Sequence, residues 1–423
     1  MIYPDPRISA YNAVLLCLKG KGDLQAVLDQ ELQKISNERD KALATEIVYG
    51  YLRFRGRVDY VISLFLDKPE KLPLKVRTLM GLAGYELYYL DKVPSYATVS
   101  SAVESASRLF GRKMSGLVNA VLRKALQVNI CDEQIFKNDH PGEIRFWSRY
   151  YSCPEWIVKM WKKAYGRQLC LQYLQQSLDR PPAGLREIKG FHGAVDDSQY
   201  VVRRLANSVL VRTGFPCLDK YLLEGKAVRQ SFAGQQAMHE LGLKDWNQPV
   251  WDMCAGSGGK TFLMLDHGKQ VYSSDVNLNR LNNLRKNSAR HGYRTLLFAA
   301  GGKFPALGTS PQTVLIDAPC TGLGVLSRRP DIKWKRSPGD VDRLAHTQAE
   351  LLDSAAALLN RGGRIVYLTC TLCPSENERR INDFLYEHKD FDLEKMFQTD
   401  PGQEFKEFFF GAVLKKIKCN YSS

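Results

Sequence analysis

Short apolar runs that end in a polar residue, alternating with helical stretches, are the feature that most constrains the fold of this chain. Four runs of this kind lie in its second half, at Val250–Asp252, Val271–Asp275, Thr313–Asp317 and Arg364–Leu368. Amphipathic patterns at Leu278–His291 and Leu344–Leu359 predict two of the helices between or behind them. Strands that alternate with helices predict a mostly parallel sheet covered on both faces. Ligands of such sheets bind at the carboxyl ends of the strands, so we look for a site there.

The first part of the chain predicts helices only. Apolar residues recur at helical spacing within 42–52, 99–106 and 117–122. Between residues 131 and 224 the pattern is mixed, with a helical stretch at Trp156–Leu178 and short strand-like runs such as Val209–Arg212. We therefore predict three domains: an all-α domain over 1–130, a small α+β linking domain over 131–224 and an α/β domain over 225–423.

The charge balance favours a polyanionic partner. Sixty Lys and Arg residues stand against 45 Asp and Glu residues, which gives a net charge of +15. Nucleic acid is the simplest partner of that kind, and a basic surface kept for solubility is the alternative. A local cluster of Arg53, Arg55 and Arg57, near the expected end of a helix, is interpreted as a solvated helix face.

Apolar runs and cysteine spacing indicate where the protein acts. The chain has no apolar run near the roughly 20 residues that span a bilayer, and residues 1–10 do not look like a signal peptide. We expect a cytoplasmic protein that does not bind membranes and whose ten cysteines are reduced. Cys370 and Cys373 have CxxC spacing without a second pair, so we predict no metal site.

A glycine-rich turn follows the first of the four strands. Its sequence, DMCAGSGGKT over 252–261, has small residues that let a ligand approach the backbone, and a helix begins at its end. The spacing fits neither a P-loop nor a dinucleotide fingerprint. Asp275 ends the next strand, where a carboxylate can accept hydrogen bonds from ribose hydroxyls. Together they predict a nucleoside cofactor site; the alternative is an ordinary tight turn with a helix-capping Asp.

Two thiols follow the remaining two strands. Cys320 lies just after Asp317, and Cys370 follows the strand that begins at Arg364. Either cysteine alone is more typical of a small buried apolar residue. Two of them beside a cofactor turn and an acid favour covalent catalysis, in which an ionised thiol is the nucleophile. The spacing does not say which thiol attacks.

At these residues the chain resembles the RNA cytosine-C5 methyltransferase family. DMCAGSGGKT is similar to the family's DLCAAPGGKT, and DAPCTG at 317–322 is similar to its DAPCSG. PDIKWKRSPGD, the helix HTQAELLDSAAALL, GGRIVYLTCTLCPSENE and the final FFFGAVLKK follow its catalytic stretch and last strand. The resemblance covers the whole C-terminal half and implies a Rossmann-like domain that uses S-adenosylmethionine (SAM).

The resemblance also assigns roles by position. It makes Cys370 the nucleophile that adds to C6 of the target cytosine, and Cys320 the thiol that helps to expel the product. It places Asp317 against the cytosine and near the methyl donor. It assigns the cofactor to Asp275, which would hold the ribose, and to a turn made of Cys254, Ala255, Gly256, Ser257, Gly258, Gly259 and Lys260.

The N-terminal half carries a second resemblance. VPSYATVSSAVESASRLFGRKMSGLVNAVLRKA, at 93–125, is similar to the helical domain of the NusB antitermination factor. Arg145–Gly166 and Pro181–Ile188 look like a small RNA-binding linking domain. This combination resembles the bacterial enzymes that methylate 16S ribosomal RNA, and it implies a monomer acting on that RNA, naked or in a partly assembled small subunit. The alternatives are the same chemistry on tRNA and a non-catalytic assembly factor.

The chain departs from the family pattern at three places. Gly256-Ser257 replaces the family's Ala-Pro, and residues 228–235 match its Gln-Asp motif only loosely. In the loop AAGGKFP, at 299–305, Gly301 stands where the family usually has an Asp near the adenine. This last difference predicts weaker cofactor binding unless backbone or water replaces the contact. None of the three removes a catalytic group.

Overall fold

The computed structural model describes residues 5–196, 199–301 and 310–417. The chain forms two compact units. One contains the chain up to Asp179 together with Arg329–Arg336, and the other contains Arg180–Arg328 and the chain from Ser337 onwards. The predicted linking domain, 131–224, is thus divided near residue 179. The boundaries at 130/131 and 224/225 stay a prediction about folding units.

The first unit is helical, as predicted. Its α-helices are α1 (Pro6–Leu18), α2 (Leu24–Leu32), α3 (Glu38–Ser63), α4 (Leu74–Tyr89), α5 (Ser95–Phe110), α6 (Arg112–Ala125), α7 (Glu143–Tyr150) and α8 (Glu155–Gln176). Side-chain caps start several of them: Asp5 accepts from the Arg7 N–H at 2.8 Å, and Asn37 accepts from the Arg39 N–H at 2.8 Å. Apolar faces of α1 to α6 form one continuous core. The helical expectation for the N-terminal part is confirmed.

The arginine cluster corrects one interpretation. Arg53, Arg55 and Arg57 lie inside α3 rather than at its end, and Arg53 and Arg57 are buried, so the cluster is not a solvated face. The Arg57 Nε donates to the carbonyl oxygen of Tyr150 at 2.7 Å, and its guanidinium lies over the Tyr150 ring at 4.2 Å. Packing against an aromatic ring and a free carbonyl is what makes burial of an arginine tolerable.

A segment from the second half of the sequence completes the helical unit. Arg329–Arg336, which includes the short helix α13 (Ile332–Lys335), belongs to this unit. The Trp334 Nε1 donates to the carbonyl oxygen of Leu52 at 2.6 Å, and the Lys333 Nζ donates to that of Arg53 at 2.9 Å. The Gly56 N–H, which could bond to Leu52, donates to the Ser152 hydroxyl at 2.7 Å. The inserted segment therefore satisfies carbonyls of α3 from the side.

Lys333 predicts an unusual dependence of stability on pH. Its side chain is fully buried, and burial lowers the pKa of Lys333 to about 7 from a usual 10.5. Because the folded pKa lies below the unfolded one, folding is opposed by protonation of this amine. The free energy of unfolding should therefore rise as pH increases from about 7 to about 10, by up to about 1.4 kcal/mol per pH unit from this group.

We expect Lys333→Met to remove this contribution. Relative to wild type, the variant should gain stability at pH 7, and its advantage should shrink steadily towards pH 10. Chemical denaturation at several pH values measures the difference, with Lys163→Met, at an exposed lysine of the same unit, as the control. A constant difference between variant and wild type across this range would contradict the prediction.

The second unit contains two sheets. Its strands are β1 (Ala183–Glu187), β2 (Val201–Leu205), β3 (Ser208–Val211), β4 (Ala227–Arg229), β5 (Val250–Asp252), β6 (Val271–Asp275), β7 (Leu296–Ala299), β8 (Thr313–Asp317), β9 (Arg364–Thr369), β10 (Phe391–Gln398) and β11 (Phe410–Lys416). Its helices are α9 (Leu218–Leu223), α10 (Phe232–Glu240), α11 (Gly259–Asp266), α12 (Leu278–Arg290), α14 (Pro338–Leu358) and α15 (Glu378–Glu387). Strands β1 to β4 form a small antiparallel sheet in the order β2-β3-β1-β4.

The large sheet has the order β10-β11-β9-β8-β5-β6-β7. Strands β9, β8, β5, β6 and β7 are parallel, and β11 and β10 join antiparallel at one edge. The predicted, mostly parallel sheet is confirmed. All four sequence-predicted strands are present with ends within one residue of the expected ones. Because β9, β8, β5 and β6 are neighbours and parallel, the residues that follow them share one edge.

Alternate residues of the central strands enter different cores, so the sheet is covered on both faces. Val250, Leu315 and Val366 pack with apolar residues of α10 and α11. Trp251, Val314 and Ile365 pack with those of α14 and α15. Strands buried on both faces read as continuous apolar runs, which is why the sequence marked them clearly. Among the described residues, no helix is long and apolar enough to cross a bilayer.

Candidate active site

Two thiols meet at the carboxyl edge of the large sheet. Cys320 lies in the loop after β8, and Cys370 is the first residue after β9. The parallel pairing of these strands brings their Sγ atoms to 3.4 Å, within hydrogen-bond distance, and both thiols are free. Each side chain is partly exposed, so a substrate can reach it. The two cysteines that the sequence analysis selected thus lie side by side.

The electrostatics distinguish Cys320 as a protonated thiol. The hydrogen bond with Cys370 raises the pKa of Cys320 well above its usual range, and burial raises it further. The negative charges of a Cys370 thiolate and of Glu376 act in the same direction. Cys320 therefore holds its proton and can donate it in a hydrogen bond to the Cys370 sulfur.

Asp317 and Lys260 form an ion pair beside the thiols. Asp317 ends β8, Lys260 lies in the first turn of α11, and the Lys260 Nζ lies 2.5 Å from the Asp317 Oδ2. Burial alone would lower the pKa of Lys260, but the adjacent Asp317 carboxylate raises it above its usual value. A charge on Cys370 raises it as well, so the ammonium lies within electrostatic range of that sulfur.

The glycine-rich turn joins β5 to α11 beside this group. Gly256 has φ +58 with open space where a side chain would be, so a ligand can approach the backbone there. Gly258 has φ +94, and a Cβ on it would lie 2.7 Å from the Phe262 ring. Ala255, Ser257 and Gly259 complete the turn, and Cys254 is largely buried, which raises the pKa of its thiol.

Asp275 is tied to the turn by its backbone. Its Oδ2 accepts from the Gly256 N–H at 2.9 Å, and its Oδ1 accepts from the Asn277 N–H at 2.8 Å. Each carboxylate oxygen can accept more than one hydrogen bond, so capacity remains for two hydroxyls. The Asp275 carboxylate is thus held in place before any ligand arrives.

Asp252 is a candidate that the sequence analysis did not select. It is fully buried at the end of β5, and its Oδ2 accepts from the Thr261 hydroxyl at 2.7 Å. Its Oδ1 has no hydrogen-bond partner among the described residues, and burial raises the pKa of this carboxyl to about 7. A buried acceptor left unpaired beside an open turn fits a ligand that brings its own donor. Its position at a strand end was the signal available in the sequence.

The segments that depart from the family pattern take the following places. Gln230, within 228–235, donates from Nε2 to the Gly259 carbonyl oxygen at 3.0 Å, so this segment does reach the glycine-rich turn. Gly301 is exposed, and a Cβ on it would have only Val276 as a neighbour, at 3.9 Å. The rest of the loop 299–305, from residue 302, lies outside the described residues.

Comparisons with known proteins agree with this site and fold. Residues 240–413 match the family model "16S rRNA methyltransferase RsmB/F", and residues 6–127 match the "NusB family" model. Ribosomal RNA small subunit methyltransferase B of Salmonella arizonae is 31% identical over 97% of this chain and 98% of its own length. The protein of the same name from Proteus mirabilis is 30% identical over 96% and 99% of the two chains.

Two solved structures share the fold. The crystal structure of PH0851 has a TM-score of 0.77 and 22% identity, and the alignment covers 98% of this chain and all of the other. NSun6 from Pyrococcus horikoshii, solved with SFG, has a TM-score of 0.54 and 19% identity, over 63% of this chain and 98% of the other.

Proposed function

The chain belongs to the RsmB/F family of 16S rRNA methyltransferases, and from this we propose that it transfers a methyl group from SAM to C5 of a cytosine in 16S ribosomal RNA. Cys370 is the nucleophile, Cys320 assists product release, and Asp317 contacts the cytosine. The observation that carries this proposal is the 3.4 Å contact between two free thiols at neighbouring strand ends. A single thiol suffices for many covalent mechanisms, whereas a pair suits a reaction in which an adduct must be both formed and dismantled.

A second thiol helps because C5 of cytosine is a poor nucleophile. When the Cys370 thiolate adds to C6, the ring electrons move to C5, which can then take an electrophilic methyl group. The C5 proton next leaves to solvent, the C6–sulfur bond breaks, and its electron pair returns to Cys370. Because Cys320 keeps its proton, it can donate a hydrogen bond that stabilises the departing thiolate.

Asp317 and Lys260 are positioned to handle the ring during these steps. A carboxyl group near N3 and the exocyclic amine would orient the cytosine and assist protonation of the ring. Lys260 holds the Asp317 carboxylate through their ion pair, and its ammonium lies within electrostatic range of Cys370. A cation beside a thiol favours the ionised form that attack requires.

The cofactor pocket fits SAM, which when bound supplies the electrophilic methyl group. The unpaired Asp252 Oδ1 suits the ammonium of the methionine part, and the backbone of Cys254–Lys260 would wrap the cofactor. Asp275 would hold the ribose hydroxyls with its remaining acceptor capacity. The NSun6 neighbour, solved with the SAM analogue SFG, gives this assignment further support.

The RNA partner is proposed from charge and family together. A net charge of +15 favours binding to phosphates, and the chain would act as a cytoplasmic monomer on 16S rRNA, either naked or in a partly assembled small subunit. The three predicted domains, 1–130, 131–224 and 225–423, would divide RNA binding from catalysis.

The test is a tritium-release assay. RNA is labelled at cytosine C5, so that methylation there releases tritium into water, and it is presented with SAM as 16S rRNA, as partly assembled small subunits or as tRNA. Release from 16S rRNA or subunits, but not from tRNA, is expected. Release from tRNA alone would move the substrate to that RNA. With all three substrates inert, the chain would be an assembly factor without activity.

Gly301 gives a separate prediction for cofactor affinity. Gly301→Asp should restore the acceptor that the family usually has near the adenine, and the open space at Gly301 accommodates the side chain. We expect SAM to bind about five- to tenfold more tightly, which corresponds to about 1 kcal/mol. Isothermal titration calorimetry measures this, with Gly142→Asp as a control that adds the same charge at an open glycine of the helical unit. Unchanged affinity would mean that position 301 does not limit binding.

A further inference from the structure

Two fully buried polar residues lie behind the thiol pair. Glu376 and Asn377 precede α15, and neither side chain is accessible to solvent. The pKa of Glu376 is raised by burial, although the hydrogen bonds that it accepts oppose that rise. A buried carboxyl group is costly to a fold unless its hydrogen bonds are well satisfied, so its contacts merit a close account.

Glu376 holds the loop that carries Cys320. Its Oε1 accepts from the Thr321 N–H at 2.8 Å, and its Oε2 accepts from the Thr321 hydroxyl. Gln348 of α14 donates from Nε2 to the same Oε1 at 3.0 Å and to the Pro319 carbonyl oxygen at 2.9 Å. The residues on both sides of Cys320 are therefore fixed through one carboxyl group and one amide.

Asn377 holds the loop that carries Cys370. Its Oδ1 accepts from the Thr369 hydroxyl at 2.6 Å, and its Nδ2 donates to the Thr371 carbonyl oxygen at 3.0 Å. One side chain thus spans the residues immediately before and after Cys370. Such a bridge restrains the backbone that aims the Cys370 sulfur.

The two loops are also joined to each other. The hydroxyls of Thr321 and Thr371 lie 2.7 Å apart, and both are buried. Because the Thr321 hydroxyl gives its proton to Glu376, the Thr371 hydroxyl is the donor in this contact. The Glu376 hydroxyl-and-amide network therefore continues from the Cys320 loop into the Cys370 loop.

We infer that Glu376 and Asn377 are positioning residues that hold the Cys320 and Cys370 sulfurs in contact, Glu376 for product release and Asn377 for attack. This inference rests on the proposed function. Neither residue touches the reacting atoms; each acts through the loop it holds. Small losses of geometry at a reacting centre cost rate steeply, so loosening either loop should be visible in turnover.

The two roles predict different failures. In Glu376→Gln the charge and the acceptor for the Thr321 hydroxyl or N–H are weakened, so release should slow and a covalent protein–RNA adduct should accumulate. In Asn377→Ala the Cys370 loop loses both bridges, so attack should slow without an adduct. We expect turnover to fall by at least about tenfold in each variant. Glu387→Gln, an exposed glutamate at the end of α15, is the matched control.

The experiment measures tritium release, the adduct on a denaturing gel, SAM binding and thermal stability for the full-length variants on 16S rRNA. Wild-type turnover in both variants would overturn the inference, as would a loss of turnover that only follows loss of folded protein. Should Glu376→Gln fail to fold, Thr371→Val, which removes the hydroxyl link, should lower turnover while Thr371→Ser retains it; equal turnover in these two would also overturn it. An inactive wild-type protein would instead refute the proposed function.

Discussion

The Cys370→Ala variant is expected to lose methyl transfer by about four to six orders of magnitude while it binds SAM as the wild-type protein does. Without the thiol no adduct forms at C6, and C5 stays too weak a nucleophile to take the methyl group. The cofactor contacts lie on β5, β6 and the glycine-rich turn, so removing a sulfur after β9 leaves them intact. Tritium release from C5-labelled RNA measures turnover, and calorimetry measures SAM binding.

Cys373→Ala is the control for this variant. Cys373 lies three residues further along the same loop, is buried, and contacts the Ser375 hydroxyl at 3.2 Å rather than the other thiols. Its removal tests whether any disturbance of the loop abolishes activity. Cys370 is not the nucleophile if Cys370→Ala turns over at a rate comparable to Cys373→Ala.

Cys320→Ala is expected to give the opposite phenotype, a trapped covalent complex with RNA. Attack by Cys370 does not require Cys320, but the departing thiolate then lacks the hydrogen bond from the thiol 3.4 Å away. Breakdown of the adduct should become slower than its formation, so a protein–RNA band should persist on a denaturing gel while turnover falls by at least about a hundredfold.

The double variant Cys320→Ala/Cys370→Ala separates a true adduct from nonspecific crosslinking, because it has no nucleophile and should show no band. Normal turnover in Cys320→Ala together with an absent band would make Cys320 a structural residue. The adduct formed by Cys320→Ala also provides the reference band against which partial accumulation in Glu376→Gln can be judged.

The sheet and the convergence of the candidate site could be predicted from the sequence because both depend on short-range patterns. Val271–Asp275 and Thr313–Asp317 are apolar runs with a polar end, and their strands begin and end at the predicted residues. Once such strands are parallel neighbours, Asp317, Cys320 and Cys370 must share an edge. No further information was needed to bring them together.

Contacts between residues far apart in sequence could not be predicted in this way. Glu376 meets Thr321 only because β8 and β9 are adjacent, and its letter in the sequence resembles any solvated glutamate. Arg57 belongs to a run that is typical of an exposed helix face, yet Tyr150 buries it. Polar residues whose partners are distant carry no periodic signal, so their burial becomes visible only in three dimensions.

The eight residues Arg329–Arg336 bear on how such proteins can be recombined. They fall inside the stretch matched by the methyltransferase family model, yet they belong to the compact helical unit. A chimera that exchanges only the chain up to Asp179 between two relatives would pair each α3 with a foreign copy of Trp334 and Lys333. Grafting the helical unit therefore requires two crossovers more than its continuous boundary suggests, and the inherited module is a discontinuous one.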